Sequence, residues 1–299
     1  MSSPDGDQPA GRQQGPRSTP SSQTRPGGAI EPELLVEHDG PIAWLTLNRP
    51  ERLNALTMSM LDQLVDALTD LERSDTRVVV VRGAGRAFSA GYDISPGADE
   101  VGEAHQRGPV ADRNRQAAYI DRFTRIWRHP QPVIAAIHGF CMAGASQLAC
   151  FCDITVVAEE AVIAASPALP LGGGFISPLW SFRVGPQRAK EMSFVPGRRI
   201  DGRTAVEWGF ANSAVPEVEL ESYVRELALS ISTVPAPVLQ MKKLAVNRVQ
   251  EIQGFLTIAS FGADTDALIH TTSDVSEIQK LVRDVGIKEA IRRFSRARD

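Results

Sequence analysis

Val78-Val79-Val80-Val81, running through Arg82 into Gly83-Ala84-Gly85-Arg86-Ala87-Phe88-Ser89-Ala90-Gly91-Tyr92-Asp93, decides the fold of this chain. Four consecutive β-branched apolar residues read as a strand covered on both faces, because a half-exposed strand would alternate with polar residues. The residues that follow carry little bulk, so the backbone there can approach a ligand closely. Upstream, Met60, Leu61, Leu64, Val65, Leu68 and Leu71 have helical spacing. Before them, Leu34–Glu37, the turn Asp39-Gly40-Pro41 and Ile42–Leu47 read as a β-hairpin. Downstream, the pattern predicts a helix from about Ala111 to Trp127 and a short strand over Pro132–Ile137. A helix beginning in the small residues Ala143–Ala149 and a strand over Ile154–Ala158 come next. Strands alternating with helices predict a mostly parallel, layered α/β core. From about Glu219 onward the pattern is all-helical, with Val224, Leu227, Leu229 and Ile231 in one helix and Leu239, Leu244, Val246 and Val249 in another.

A second turn of the same kind, His138-Gly139-Phe140-Cys141-Met142-Ala143-Gly144-Ala145-Ser146-Gln147, follows the strand Pro132–Ile137 and opens a helix. Unbonded N–H groups and the positive end of the helix dipole gather there. Two such turns at the C-terminal ends of neighbouring strands mark the place where an open α/β sheet binds its ligand. Either turn alone reads better as a tight strand-to-helix connection, so the expectation rests on the pair.

Composition narrows the function classes. The chain has 299 residues, 42% hydrophobic and 23% charged, enough for one large domain with an appendage. Its 32 basic and 36 acidic residues give a net charge of -4, and no Lys/Arg block suggests a nucleic-acid surface. The longest apolar runs fall far short of the ~20 residues of a membrane span, so no membrane is expected as a partner. Cys141, Cys150 and Cys152 are odd in number and lack metal spacing, and they read as reduced core residues of a cytoplasmic protein. Residues 1–30 are rich in Ser, Pro, Gly, Gln and Arg, which predicts a disordered tail with neither the apolar region of a secretory signal nor the stripe of a transit peptide. The expected organisation is therefore a tail over 1–30, a core carrying the site over 31–218, and a helical region over 219–299.

The order and spacing of several segments resemble the crotonase family, also called the enoyl-CoA hydratase/isomerase family, from about Leu34 to the C-terminus. The carriers are Leu47-Asn48-Arg49-Pro50 with Asn54-Ala55-Leu56, then Phe88-Ser89-Ala90-Gly91-Tyr92-Asp93, then Pro132–Gly139 leading to Gly144 and Cys152-Asp153. Arg183-Val184-Gly185 with Ala189–Met192, and Ala205–Asn212, look like the family's later helices. The resemblance implies an α/β fold made as a spiral of ββα units, with a C-terminal helical region that mediates assembly into a trimer or a dimer of trimers. It also implies an acyl-CoA thioester as partner, with coenzyme A bound as part of the substrate and no further cofactor required. The family's two oxyanion-hole N–H groups fall on Tyr92 and Gly144. Negative charge builds on a thioester oxygen when the group is attacked or enolised, and fixed donors there stabilise it.

The chain departs from the family where hydratases keep two glutamates as general base and acid. The first position is Gln147, whose amide can hold a water or an acyl group but cannot take a proton at neutral pH. The second falls in Ser166-Pro167-Ala168, on Ala168 or, with a shift of one residue, on Pro167. Gly172-Gly173-Gly174 stands where dehalogenase-like members carry a nucleophilic aspartate. Asp93 is a candidate base, although stabilising its turn or capping a helix is the more economical role. Glu100, Glu103, His105 and Asp112 follow in a segment that lines the acyl pocket in family members, each with a solvated loop as the plainer reading. Ser146 and Ser166 read as local caps, His138 as a satisfied core histidine, and Phe88, Trp180 and Phe255 as core. For coenzyme A, Arg52 and Arg86 are candidate contacts to the nucleotide end, Ala90 is a further candidate contact, and Lys288, Arg292 and Arg293 are candidates from this or a neighbouring subunit. The expected function is an acyl-CoA enzyme acting through an oxyanion or enolate. Two alternatives stand beside it, a hydrolase of β-diketone-type C–C bonds without coenzyme A and a weakly catalytic paralogue that binds acyl-CoA.

Overall fold

Residues of alternating parity along the strands go to opposite faces of a central sheet, and both faces are covered. The computed structural model describes residues 32–94, 108–166, 168–172 and 174–296. The expected tail over 1–30 lies outside the described residues, as do Glu100, Glu103, His105, Pro167 and Gly173. β1 (Leu34–Asp39) and β2 (Ile42–Leu47) form the expected antiparallel hairpin. β2 then pairs in parallel with β3 (Val78–Gly83), followed in the sheet by β5 (Val133–Ile137), β7 (Ile154–Ala158) and β9 (Ser213–Val215). Ile42, Trp44, Val78, Val80, Ile134, Ala136 and Val156 pack on one side against Leu220, Val224 and Ala228 of the helix Leu220–Ser232. Ala43, Leu45, Val79, Val81, Val133, Ala135, Ile137 and Val157 join the larger core on the other. The period of two thus hides inside a run of valines, which explains why Val78–Val81 shows no polar alternation.

A second sheet of three short parallel strands holds β4 (Ala87–Ser89), β6 (Phe140–Met142) and β8 (Val162–Ala164). Each of β3, β5 and β7 in the large sheet is followed by one of these before the chain moves on, so the backbone advances as a spiral with the two sheets as its walls. This is the α/β spiral of ββα units that the resemblance implies. Helix α1 (Met58–Leu71) begins at the cap Thr57, whose hydroxyl accepts the Met60 N–H at 3.0 Å, and buries Met60, Leu61, Leu64, Leu68 and Leu71. Helix α2 (Pro109–Arg128) and helix α3 (Gly144–Phe151) follow. Helices α4 (Ser177–Val184), α5 (Pro186–Phe194) and α6 (Gly202–Trp208) complete the spiral.

After β9 the described chain is helical: α7 (Leu220–Ser232), α8 (Ala236–Ile252), α9 (Phe255–Ile269), α10 (Ser273–Val285) and α11 (Ile287–Arg296). Lys243 of α8 ties this part to the spiral, its Nζ lying 2.7 Å from Asp153 Oδ2. The same Oδ2 accepts the Val133 N–H at 2.7 Å, so the Cys152-Asp153 motif fixes the start of β5. The three thiols beside it are buried, and burial pushes Cys150 to about 11 and Cys152 to about 12, which leaves them inert core groups. Among the described residues no helix is long and apolar enough to cross a membrane.

Candidate active site

Three hydrogen bonds hold the first turn against the loop before α1. Ala90 N donates to Leu53 O at 2.8 Å, Leu56 N to Gly91 O at 2.8 Å, and Asp93 N to Leu56 O at 3.0 Å. Leu56 therefore bridges Tyr92 as a parallel strand would. Successive amides of an extended chain face opposite sides, so bonding of Gly91 and Asp93 to Leu56 turns the Tyr92 N–H away from that residue. The second turn lies directly against the first. A Cβ at Gly91, whose φ is +93°, would stand 2.6 Å from Met142 O and 3.1 Å from Gly144 N, so only glycine fits this contact. Gly144 is the first residue of α3, and its N–H has no acceptor within that helix. Ala143 before it holds φ 48° and ψ -117°, a conformation that strains a residue with a side chain by about 1–3 kcal/mol and gathers at functional sites.

A cavity of about 160 Å³ opens beside the turns, and Ala90, Tyr92, Ala143, Ser166, Gln116 and His270 are among the residues that line it. The Tyr92 ring lies over Gly144: a Cβ there would come within 2.6 Å of its Cε2. Tyr119 and Phe175 enclose the ring at centroid distances of 4.4 Å and 5.7 Å. The sequence pattern of the family described as enoyl-CoA hydratase/isomerase matches residues 37–288. The chain belongs to the enoyl-CoA hydratase/isomerase family. EchA13 of Mycobacterium tuberculosis, which bears an enoyl-CoA hydratase name, is 34% identical over 236 residues, covering 73% of each chain. The 1,2-epoxyphenylacetyl-CoA isomerase of Escherichia coli is 32% identical over 226 residues, covering 73% of this chain and 83% of its own. A crystal structure from Novosphingobium aromaticivorans that carries the enoyl-CoA hydratase/isomerase name superposes with a TM-score of 0.81 at 39% identity, over 87% of this chain and 93% of that one.

Gln147 and Ala168, the expected positions of the hydratase glutamates, are not acids. Gln147 is fully buried, its Oε1 accepting the Tyr92 hydroxyl and its Nε2 donating to Phe175 O at 2.9 Å. The amide is thus spent on fixing the Tyr92 ring and the Phe175 backbone. Ala168 packs near Gly197, and the cavity wall is made instead by Ala165 and Ser166. Asp93 is buried and pairs with Arg49 Nη1 at 2.8 Å, while the same Nη1 donates to Ala55 O at 2.8 Å. Its role is to pin the first turn to Arg49, a contact 44 residues away rather than a helix cap. Ser146 does not cap α3, whose start carries no side-chain cap bond; its Oγ donates to Ala143 O at 2.8 Å and accepts Trp180 Nε1 at 3.0 Å. Phe88, Trp180 and Phe255 are core. His138 is only half-buried, its Nε2 lying 2.9 Å from Gly85 O.

Asp112 overturns its reading as part of a solvated loop. It sits in the first turn of α2 at 2% exposure, because three partners converge on its carboxylate. His270 Nδ1 donates to Oδ2 at 2.6 Å, Arg115 Nη2 to Oδ1 at 2.6 Å, and Gln116 Nε2 to Oδ2 at 3.1 Å. Burial opposes ionisation of Asp112, but the bonds from His270 and Arg115 outweigh it and hold the carboxyl below its usual value. For His270 burial opposes the charged ring, and the Asp112 bond together with the charges of Asp266 and Asp112 more than compensates, raising it above the ordinary histidine value against the opposing charge of Arg115. Asp266, one turn before His270 on α9, accepts the Gly174 N–H at 2.7 Å. A carboxylate therefore reaches the triple-glycine loop from a distant helix although the loop carries none itself. His270 escaped the sequence reading; the only local signal was an acid four residues before it.

The candidates for coenzyme A divide. Arg52 and Arg86 are exposed on the loops that support the first turn, and Ala90 lines the cavity. Lys288, Arg292 and Arg293 lie on the exposed face of α11, where both arginines pair with Glu289 at 2.7 Å and 2.9 Å.

Proposed function

We propose that this enzyme binds an acyl-CoA thioester with the carbonyl oxygen between the N–H groups of Tyr92 and Gly144, and works through the oxyanion or enolate that they stabilise. The contact of the two turns at Gly91 carries the reading, since it brings the amide of one turn against the start of a helix in the other. Each such donor contributes roughly 2.7–4 kcal/mol at the transition state. Gln147 and Ala168 supply no proton, so the reaction class is isomerisation or cleavage through an enolate rather than hydration by a glutamate pair. The names of the Escherichia coli and Mycobacterium tuberculosis relatives support acyl-CoA chemistry as a class. Arg52 and Arg86 would meet the nucleotide end and Ala90 the thioester, with Lys288, Arg292 and Arg293 as contacts from this or a neighbouring subunit. Coenzyme A enters as part of the substrate, and no separate cofactor is invoked. The helical region over 219–299 would mediate a trimer or a dimer of trimers in the cytoplasm; Met241, Ile252 and Leu268 are 63%, 80% and 66% exposed in the single chain.

Titration calorimetry of the full chain with butyryl-CoA, crotonyl-CoA and free coenzyme A tests this. Both esters should bind more tightly than free coenzyme A, because only they carry the carbonyl. Equal affinity, or no ester binding, overturns the reading.

A further inference from the structure

Leu171 and Phe175 give the cavity apolar wall, while Gln116, Ser166, Ser177 and Ser193 set polar side chains among it. Sites for small organic groups are built this way, a few polar atoms fixing orientation inside an apolar lining. Gln116 is 2% exposed, and its Nε2 donates to Asp112 Oδ2 at 3.1 Å. The bonds from His270 and Arg115 keep that carboxylate ionised, so it can only accept, and the Gln116 amide cannot be turned round. Oε1 is therefore an acceptor, and it is buried with no partner among the described residues. Folded proteins leave few such atoms. Gln131 Oε1 and Gln279 Nε2 share the condition, but neither residue lines the cavity. The hydroxyls of Ser166, Ser177 and Ser193 make no hydrogen bond with a described residue either. One wall thus gathers hydrogen-bonding capacity that the protein itself does not use.

We propose that the acyl group taken by this enzyme carries a hydroxyl of its own, which donates to Gln116 Oε1 and accepts from a serine of the same wall, an inference that rests on the thioester reading above. A neutral carbonyl oxygen suits a neutral donor, and two basic groups disfavour an ammonium there. His270 lines the cavity and favours its charged form, and Arg115 lies on the other oxygen of Asp112. A hydroxyl also does what an amide N–H cannot, since it gives one hydrogen bond and takes another. Gln147 and Ala168 supply no acid to add water at Cβ, so this hydroxyl is one that the substrate brings with it. A cavity of about 160 Å³ has room for such a chain, because benzene, with six heavy atoms, fits an apolar cavity of roughly 150 Å³. Gln116 is then a specificity-determining residue. A site that bonds a substrate hydroxyl rejects the analogue without it, since the buried polar group is left unpaired in the complex.

Titration calorimetry of the full chain with paired esters tests this. The pairs are hexanoyl-CoA with its 3-hydroxy and 6-hydroxy derivatives, and phenylacetyl-CoA with 4-hydroxyphenylacetyl-CoA. The 6-hydroxy or the 4-hydroxyphenyl ester should bind wild type about 10-fold or more tightly than its parent. Its methyl ether keeps the oxygen but has no proton to donate, and should lose that advantage. In Gln116→Met the ratio of the two affinities should fall to about one. If that variant fails to fold, the methyl ether decides the matter on the wild type alone. Equal binding of parents and alcohols, a preference for the 3-hydroxy ester alone, or a methyl ether bound as tightly as its alcohol overturns the inference. So does a preference that survives in Gln116→Met, or tighter binding of 6-aminohexanoyl-CoA than of the 6-hydroxy ester. Absence of binding by every ester overturns the thioester reading itself.

Discussion

The two turns beside the cavity bring main-chain groups together, whereas the helices that line it bring side chains together. Gly91 and Gly144 matter there for what they lack, because any Cβ would strike Met142 O or the Tyr92 ring. Asp112 and His270 matter for what they carry, and they lie 158 residues apart in the chain. A main-chain device survives almost any change of neighbouring side chain, provided the turn keeps its shape. A proton-transfer device is lost with a single substitution and can be rebuilt wherever two elements bring an acid and a base together. Gln147 and Ala168 carry no acid, while Asp112 on α2 and His270 at the end of α9 form a buried acid–base pair.

The comparison breaks first at Gly144. Proline is sterically acceptable to a helix at its first position but has no N–H, and its ring would press on Tyr92. Gly144→Pro should therefore lower turnover of the acyl-CoA substrate by about 10²–10³-fold or more. A steady-state rate within a few fold of wild type would remove this turn from the chemistry.

A smaller effect sharpens the helical side. His270 is raised in the folded protein, so its contribution to stability is full below the ordinary histidine value of about 6.5 and is lost as pH rises through the higher folded value. Asp112 is lowered, so its contribution is present above the ordinary carboxylate value of about 3.9 and is lost as pH falls through the lower folded value. Stability conferred by the pair is greatest between those limits. Urea unfolding should find Asp112→Asn less stable than wild type by about 1–3 kcal/mol near pH 5.5, with the gap narrowing toward pH 9. A gap independent of pH would mean that the pair is not ionised as assigned.

The same contrast governs what could be read from the amino acids. The hairpin Leu34–Asp39 with Ile42–Leu47, the strand at Val78 and helix α1 were legible because each is written in a local period of two or 3.6. The two turns were legible because glycines cluster where backbone must approach backbone. The three-residue strands β4, β6 and β8 were not, since they are shorter than any period and depend on one another for pairing. Asp112 looked like part of a polar loop because the residues facing it come from Arg115, Gln116 and a helix end far downstream. His270 follows a helix rich in apolar and small residues, and nothing beside it in the chain announces a partner on α2. Asp93 was read as stabilising its turn, but its partner Arg49 could not be named, for a salt bridge across 44 residues leaves no local pattern.

Infrared difference spectroscopy of butyryl-CoA labelled with ¹³C at the thioester carbonyl, bound to the full chain, addresses the carbonyl directly. If the Tyr92 and Gly144 amides both donate to it, the labelled C=O stretch falls to lower frequency on binding to wild type and returns toward its solution value in Gly144→Pro. A bound carbonyl whose stretch is unshifted in the wild type, or equally shifted in both proteins, would contradict two-amide polarisation at these turns.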